Sequence, residues 1–169
     1  HPAAVVFDDN GYRINPDLQV WFDLKEFFDK VRLAQGLSAG TKQRAEALED
    51  ALQLCDGDLF EDFYSEWAET IKRQADTLYL STLSTLAGFY AAQRDFARAL
   101  ALLERAAQLS QWEENITIEM MRCNIARGDA TSAIQVYNHH KELVEDDLGV
   151  APSLALQTLK NEALRRLAR

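Results

Sequence analysis

Leu83–Ala106 reads LSTLAGFYAAQRDFARALALLERA, and Thr117–His140 reads TIEMMRCNIARGDATSAIQVYNHH. When the second stretch is laid under the first at an offset of about 34 residues, the apolar positions and the turn positions coincide. Ala99 then falls on Ala133. A repeat of this length is typical of a helix–turn–helix unit that buries its apolar stripe against its neighbours. The two stretches therefore predict a chain of stacked helix pairs.

The turn inside each unit ends on the same aspartate in both repeats, but the residue before it differs. Gly128 suits a left-handed helix end, and Asp129 can cap the next helix. In the first unit Arg94 takes the place of the glycine. A left-handed arginine is uncommon, so that turn is either mildly strained or differently shaped. Ala99 and Ala133 fall where two helices must approach closely, which a small side chain permits.

These features are typical of the tetratricopeptide unit, whose period is about 34 residues. The predicted fold is all-α, a tetratricopeptide-like stack of antiparallel helix pairs preceded by a short N-terminal β-hairpin. Apolar residues at helical spacing, separated by caps and breaks, give the helix boundaries. The first predicted helix starts at Asp23, and the last follows the cap residue Ser153. The helices between them are predicted from Thr41 to about Cys55, from about Ser65 to Gln93, and over Phe96–Ser110, Glu113–Arg127 and Ala130–Asp147.

Two segments depart from this helical pattern. In residues 1–16, Val5–Phe7 and Tyr12–Ile14 are β-type runs joined by Asn10–Gly11, a strong hairpin signal. A lone hairpin is marginally stable in water. It therefore either packs on the helices of this chain or is the last piece of a sheet domain cut away upstream. Residues 56–58 (Asp-Gly-Asp) end a helix, and the aromatic-rich residues 59–64 form a connector that we expect to tuck into a core.

Composition limits the class of partner. The chain has 169 residues, an apolar fraction of 47% and a formal net charge of −9. That charge argues against direct binding of nucleic acid, which needs a basic face, and against an anionic membrane surface. No apolar run approaches the ~20 residues of a membrane span, and no signal peptide is visible, so we expect a cytoplasmic protein. Cys55 and Cys123, without a CxxC context, are predicted to be reduced thiols in a helical core.

Several stretches carry a family likeness in their order and spacing. They are GYRINPD from Gly11, WFDLKEF from Trp21, ALQLCDGDL from Ala51, YSEW from Tyr64 and DLGVAPS from Asp147. Together they resemble the bacterial transcriptional activator domain, the helical module of antibiotic-regulatory activators and of larger ATPase-containing regulators. The resemblance covers nearly the whole chain and implies a tetratricopeptide-like fold.

The resemblance also implies a domain organisation and a class of partner. In that family the module follows a winged-helix DNA-binding domain, whose wing the hairpin at Gly11–Tyr12 would match. The rest of a winged helix is missing from this sequence. Residues 1–16 would then be a remnant of an upstream winged-helix domain and residues 17–169 the activator domain, with DNA reached only through a domain absent from this chain. The implied partners are the protein's own winged-helix domain, another protomer or the transcription machinery.

Motifs for catalysis or for a cofactor are missing from the sequence. His139 and His140 are adjacent, so on a helix they point about 100° apart and cannot hold one metal ion together. No phosphate-binding glycine loop and no nucleophile motif occurs. Helical spacing of the aromatic residues favours core packing over a ligand cage. We therefore predict a protein that is not an enzyme and has no cofactor or metal.

The remaining candidate is the concave side of the stack, which the first helix of each pair lines. The tetratricopeptide pattern places the groove-facing positions at Ser84, Gly88, Ala91, Asn115, Ile118, Arg122 and Ile125. Arg122 either grips a carboxylate of a partner or pairs with a nearby acid such as Glu119. The predicted function is protein interaction and regulation within a bacterial transcriptional regulator. The alternative is a sensor domain with a small-molecule effector bound in the groove.

Overall fold

The computed structural model describes residues 4–8, 11–18, 21–55 and 66–168 of the chain. Within them a two-stranded antiparallel sheet is followed by seven helices. The elements are β1 (Val5–Asp8), β2 (Gly11–Ile14), α1 (Asp23–Gln35), α2 (Lys42–Leu52), α3 (Glu66–Ala92), α4 (Phe96–Leu109), α5 (Glu114–Ala126), α6 (Ala130–Leu148) and α7 (Leu154–Leu167). The prediction of an all-α fold with an N-terminal hairpin is confirmed.

The helices pack as consecutive pairs, α1 with α2, α3 with α4, and α5 with α6, which confirms the predicted stack of helix pairs. Helix α3 contacts α1 and α2 of the preceding pair, and α5 contacts α4. The last helix, α7, packs on both α5 and α6 and closes that end of the stack. Each pair therefore buries an apolar stripe that it could not bury alone.

The turns between α3 and α4 and between α5 and α6 have the same hydrogen bonds. The amide of Arg94 donates to the carbonyl of Ala91 (3.0 Å), and the amide of Asp95 donates to the carbonyl of Tyr90 (2.9 Å). The equivalent bonds at Gly128 and its successor measure 3.1 and 2.8 Å. This pattern is the Schellman motif, which requires a left-handed residue at the helix end. The turn at Arg94 thus has the same shape as the turn at Gly128. Arg94 adopts the left-handed conformation with φ +62°, which is strained for a residue with a Cβ, and Gly128 has φ +90°.

Side-chain caps begin four of the six helices whose N-cap residue the structure describes. The carboxylate of Asp95 accepts a hydrogen bond from the amide of Arg98 (3.2 Å), and the carboxylate of Asp129 accepts one from the amide of Ser132 (3.0 Å). Thr41 and Ser153 cap α2 and α7 in the same way, each at 3.3 Å. The caps expected at Thr41, Asp129 and Ser153 are therefore present.

Replacing the left-handed arginine by glycine is expected to stabilise the protein. Arg94→Gly removes the steric conflict between Cβ and the following carbonyl, and Arg94 is exposed, so little packing is lost. We expect the free energy of unfolding to rise by about 0.5–1 kcal/mol. The gain from removing the steric strain is partly offset because glycine has more conformational freedom in the unfolded chain. Urea denaturation measures this change. A lower stability would mean that the arginine side chain makes a stabilising contact.

The reverse substitution in the second unit is expected to destabilise. Gly128→Val places a β-branched residue at φ +90°, although a Cβ there would meet no atom within 4 Å. The cost is thus conformational, roughly 1–2 kcal/mol. Gly88→Val is the matched control, because a Cβ there also meets nothing within 4 Å and Gly88 lies inside α3 with an ordinary helical backbone. Equal melting temperatures for the two variants would rule out a left-handed strain at position 128.

The core is divided among four clusters that follow the helix pairs. The largest joins α2, α3 and α4 to α5 and contains the fully buried Leu83 and Leu103. A second joins α1, α2 and α3 around Phe27. Ala99 and Ala133 are completely buried, so both lie at close helix approaches as predicted. Cys123 is buried, Cys55 is half-buried, and both are free thiols.

Arginine and lysine side chains cover tyrosine rings at the seams between helices. The guanidinium of Arg98 lies 5.1 Å from the ring centre of Tyr90, whose hydroxyl donates to Glu49 and accepts from Arg98. The guanidinium of Arg105 lies 5.7 Å from the ring centre of Tyr79, so a second arginine of α4 covers a second tyrosine of α3. Each such contact is worth about 0.5–1 kcal/mol at an exposed site.

The N-terminal hairpin pairs Val5 with Ile14 and Phe7 with Tyr12. The Phe7 and Tyr12 rings lie 5.1 Å apart and are 70% and 82% exposed. The division of the chain into residues 1–16 and 17–169 remains a prediction.

The structure adjusts one predicted boundary and leaves other predictions untested. Helix α2 ends at Leu52, since Leu54 and Cys55 are already in a turn that bonds back to the last carbonyls. Several predicted features lie outside the described residues: the hairpin-turn residue Asn10, the helix stop at 56–58, the aromatic connector at 59–64 and the side chain of Trp67.

Candidate functional site

The seven predicted groove residues do not share one open surface. Ser84 and Gly88 are exposed on α3, with Gly88 beside a small cavity of about 270 Å³ next to the start of α2. Asn115 and Arg122 are exposed on α5 and each contacts an acid of its own helix or cap. The Asn115 amide donates to Glu113 (3.1 Å). The three exposed polar side chains and the glycine are therefore divided between two helices.

Helix α7 covers part of the groove face of α5. Ile125 is 4% exposed and packs with Ala163 of α7. Ile118 is half-buried and packs near the fully buried Leu156 of α7. These two predicted groove residues therefore belong to the core between α5 and α7, because the additional helix occupies the place that a partner would take. Ala91 is likewise half-buried against the largest core cluster.

Arg122 forms an ion pair rather than presenting a free cation. Its Nη1 donates to Oε1 of Glu119 at 2.6 Å, one helical turn away. The pair is exposed on the same helix, so it contributes only a few tenths of a kcal/mol. Of the two interpretations of Arg122, the structure supports the pairing with Glu119.

An open groove of about 550 Å³ lies instead between α1 and α3, the first helices of neighbouring pairs. We call it the α1–α3 groove. Its apolar lining comes from Phe28, Val31 and Leu78, and its cations are Arg32 and Arg73. Amides and hydroxyls complete the lining: Gln35, Gln74, Thr77 and Ser81.

The two arginines of this groove differ in their partners. Arg32 is exposed and lies 3.6 Å from Asp29, one turn back on α1. Arg73 is exposed and forms no ion pair within the part of the chain that the structure describes. In a chain of net charge −9, this groove thus places two arginines beside apolar side chains, and one of them has no acidic partner within the described residues.

Sequence reasoning missed Arg32 and Arg73 because the repeat comparison began at Leu83, after this part of α3. The sequence of α3 nevertheless contained a signal for this groove. Thr77, Ser81, Ser84 and Gly88 are spaced three and four residues apart, so they continue one stripe along the helix. The predicted residues Ser84 and Gly88 are thus the end of the stripe whose beginning lines the groove.

A second depression lies on another side of the stack, between α4 and α6 over α5, and we call it the α4–α6 trough. It has two adjoining compartments of about 600 and 380 Å³ that share Glu104, Met120, Gln135 and Val136. The larger one is lined by His140, whose Nδ1 lies 3.1 Å from Thr117 Oγ1. Both side chains are buried, and burial lowers the pKa of His140 below its ordinary value.

The described residues hold no cluster of three or more histidine, cysteine, aspartate or glutamate side chains that could bind a metal ion. Among the helices that the structure describes, none is long and apolar enough to cross a bilayer.

Comparisons with known proteins agree with the geometry. The sequence profile of the bacterial transcriptional activator domain matches residues 22–164. The structure of Mycobacterium tuberculosis EmbR in complex with a low-affinity phosphopeptide superposes with a TM-score of 0.64 at 22% identity, and the match covers 96% of this chain and 44% of EmbR. This chain thus spans less than half of the length of that EmbR chain. No curated protein matches the sequence.

The profile match extends from the residue before α1 to within a few residues of the end of α7, so it includes all seven described helices. Together with the stack of helix pairs, this match shows that the chain belongs to the bacterial transcriptional activator domain family.

Proposed function

We propose that this chain is the protein-interaction domain of a bacterial transcriptional regulator and works in the cytoplasm by binding a protein segment without chemical reaction. The candidate partners are the regulator's own winged-helix domain, a second protomer or the transcription machinery, and DNA would be reached only through a domain outside this sequence. The α1–α3 groove carries the proposal, because it combines the half-buried apolar side chains of Phe28 and Leu78 with two exposed arginines.

The groove chemistry narrows the kind of segment that would bind. The accessible parts of Phe28 and Leu78 would contact apolar side chains of a partner, and burial of such surface is the main driving force of association. Arg73 could form a bidentate bond with a carboxylate. An amphipathic, acidic segment therefore suits this surface. EmbR, a protein that contains this fold, has been solved with a phosphopeptide, which supports a peptide partner.

In-cell photo-crosslinking tests the proposal directly. A photoreactive amino acid at Thr77, in the groove, is expected to give a protein adduct that mass spectrometry identifies as one of the three partner classes. The same amino acid at Gln43, exposed on α2 outside the groove, serves as the control and should not give that adduct.

A charge reversal tests the role of the groove's free cation. Arg73→Glu is expected to abolish the Thr77 adduct, since it replaces a cation facing an acidic segment with a like charge. Arg165→Glu on the exposed side of α7 is the matched reversal and should leave the adduct unchanged. An adduct that survives Arg73→Glu would contradict the proposed groove.

A further inference from the structure

A buried histidine joins α5 to α6 through a side-chain hydrogen bond. Nδ1 of His140 lies 3.1 Å from Oγ1 of Thr117, and the two residues are 3% and 8% exposed. Within the part of the chain that the structure describes, this is the one hydrogen bond between side chains of two helices in which both residues are buried. The α5–α6 contact therefore contains a titratable group at a place where the other helix contacts have apolar side chains.

The neighbours of this bond along both helices are buried as well. Tyr137 and Val144 lie one helical turn before and after His140 on α6. Met121 lies one turn after Thr117 on α5 and is fully buried. A neutral imidazole suits this position, because the tautomer with its hydrogen on Nε2 accepts the Thr117 hydroxyl at Nδ1.

Protonation of the imidazole changes this contact in two ways. An imidazolium has two N–H donors and no acceptor, so the hydroxyl of Thr117 has to turn and accept instead of donating. The added charge also loses hydration at a buried position, and burial is the largest cause that lowers the pKa of His140 below its ordinary value of 6.5. The folded chain therefore binds this proton less tightly than the unfolded chain does.

The charged groups around this imidazole come from each helix that packs near it. Glu114 of α5 favours the protonated form and His139 of α6 opposes it, and both effects are smaller than that of burial. Glu104 of α4 lines the same compartment of the α4–α6 trough and is exposed. Lys160 of α7 covers a tyrosine ring one turn earlier on α6. Neither carboxylate is hydrogen-bonded to the imidazole, so a charge there has no direct partner among the described residues.

We propose that the contact between His140 and Thr117 is a pH-sensitive switch, which holds α6 on α5 while the imidazole is neutral and loosens this helix pair when the imidazole is protonated. Because α7 packs on both α5 and α6, a loosened α6 also weakens the packing of α7 on Ile118 and Ile125. Acid would thus uncover the two predicted groove residues that α7 covers. The switch goes beyond the proposed protein-binding function and is independent of it, since neither α5 nor α6 lines the α1–α3 groove.

NMR on the full chain tests both steps of the switch. The ring signals of His140 are followed through a pH titration of the folded chain and of the same chain unfolded in urea. We expect the ring to take up its proton at a lower pH in the folded chain. Between about pH 7.5 and about pH 5.5, amide protection factors are expected to fall in α6 and α7 and to persist in α1 and α2. A ring that titrates at the same or a higher pH when folded, or an equal loss of protection in α1, would overturn the proposal.

Two variants separate this switch from the general acid sensitivity of an acidic protein. Because the pKa of His140 is lower in the folded chain, its contribution to stability is complete above about pH 6.5 and is lost as the pH falls below that value. His140→Asn keeps a polar atom near the position of Nδ1 but does not titrate. From about pH 7.5 to about pH 5.5, the unfolding constant of the parent is expected to rise by up to about tenfold more than that of this variant.

His139→Asn is the matched control, because it removes the exposed neighbouring histidine on the same helix. It should keep the pH dependence of the parent. Urea denaturation measures all three chains at both pH values, and only the change between these values is compared, so a uniform loss of stability in one variant does not affect the result. The same pH dependence in the parent and in His140→Asn, or an equal reduction in His139→Asn, would contradict the switch.

Discussion

Ala99→Arg is expected to lower the free energy of unfolding by roughly 3–5 kcal/mol, because it forces an unpaired charge into the core. Ala99 is completely buried in the cluster that joins α3 to α4. The alanine allows the two helices to approach closely, so a long side chain would separate them and strand its guanidinium away from water. The whole free energy of unfolding of a domain of this size is about 5–15 kcal/mol, so the expected loss is a large part of it.

Thermal unfolding followed by circular dichroism measures this effect. The expected fall in melting temperature is on the order of 10 °C or more. Ala97→Arg is the matched control, since Ala97 is exposed on the same helix two residues earlier. If both variants melt like the parent, the helix crossing at Ala99 is wrong, and the repeat that places it there is wrong as well.

Phe27→Ala is expected to cost about 3–5 kcal/mol, the usual range for removing a fully buried aromatic ring. Phe27 is 1% exposed, and its ring meets those of Phe28 and Tyr79 edge-on at 5.9 and 6.2 Å. The Tyr79 contact joins α1 to α3, so the variant should loosen the first helix pair in particular. Amide hydrogen exchange would show this loss of protection in α1 before α5.

Phe28→Ala provides the comparison for this prediction. Phe28 is half-buried and lines the α1–α3 groove, so its removal leaves less of a cavity and should cost clearly less than Phe27→Ala. Equal costs for the two variants would mean that Phe27 is not the centre of the second core cluster.

The sequence predicted the helices well because the forces that delimit them are local. Caps at Thr41, Asp129 and Ser153 act within one turn, and apolar spacing along a helix marks its buried side. The short repeat offset even located the close approaches at Ala99 and Ala133, both fully buried. At Arg94 the sequence left two shapes open, and the backbone hydrogen bonds of the structure decide for the left-handed one.

Which of the predicted groove positions lie open depends on which helices cover which faces, and the sequence pattern does not give this. Ile118 and Ile125 lie on the face of α5 that the repeat pattern assigns to a groove, yet α7 packs on that face. Nothing in the local spacing of α5 indicates where a helix about thirty residues later will lie. The open groove lies at α1 and α3, and the described residues that line it all belong to these two helices.

By itself, the sequence determined most of the helix boundaries, the pairing of neighbours and the family resemblance, because each depends on short-range spacing and capping. Tertiary structure alone decided that Arg122 pairs with Glu119, that α7 covers part of the predicted groove, and that a groove lies open between α1 and α3. The physical reason is that an open or a covered face is defined by the packing of segments that are distant in the sequence.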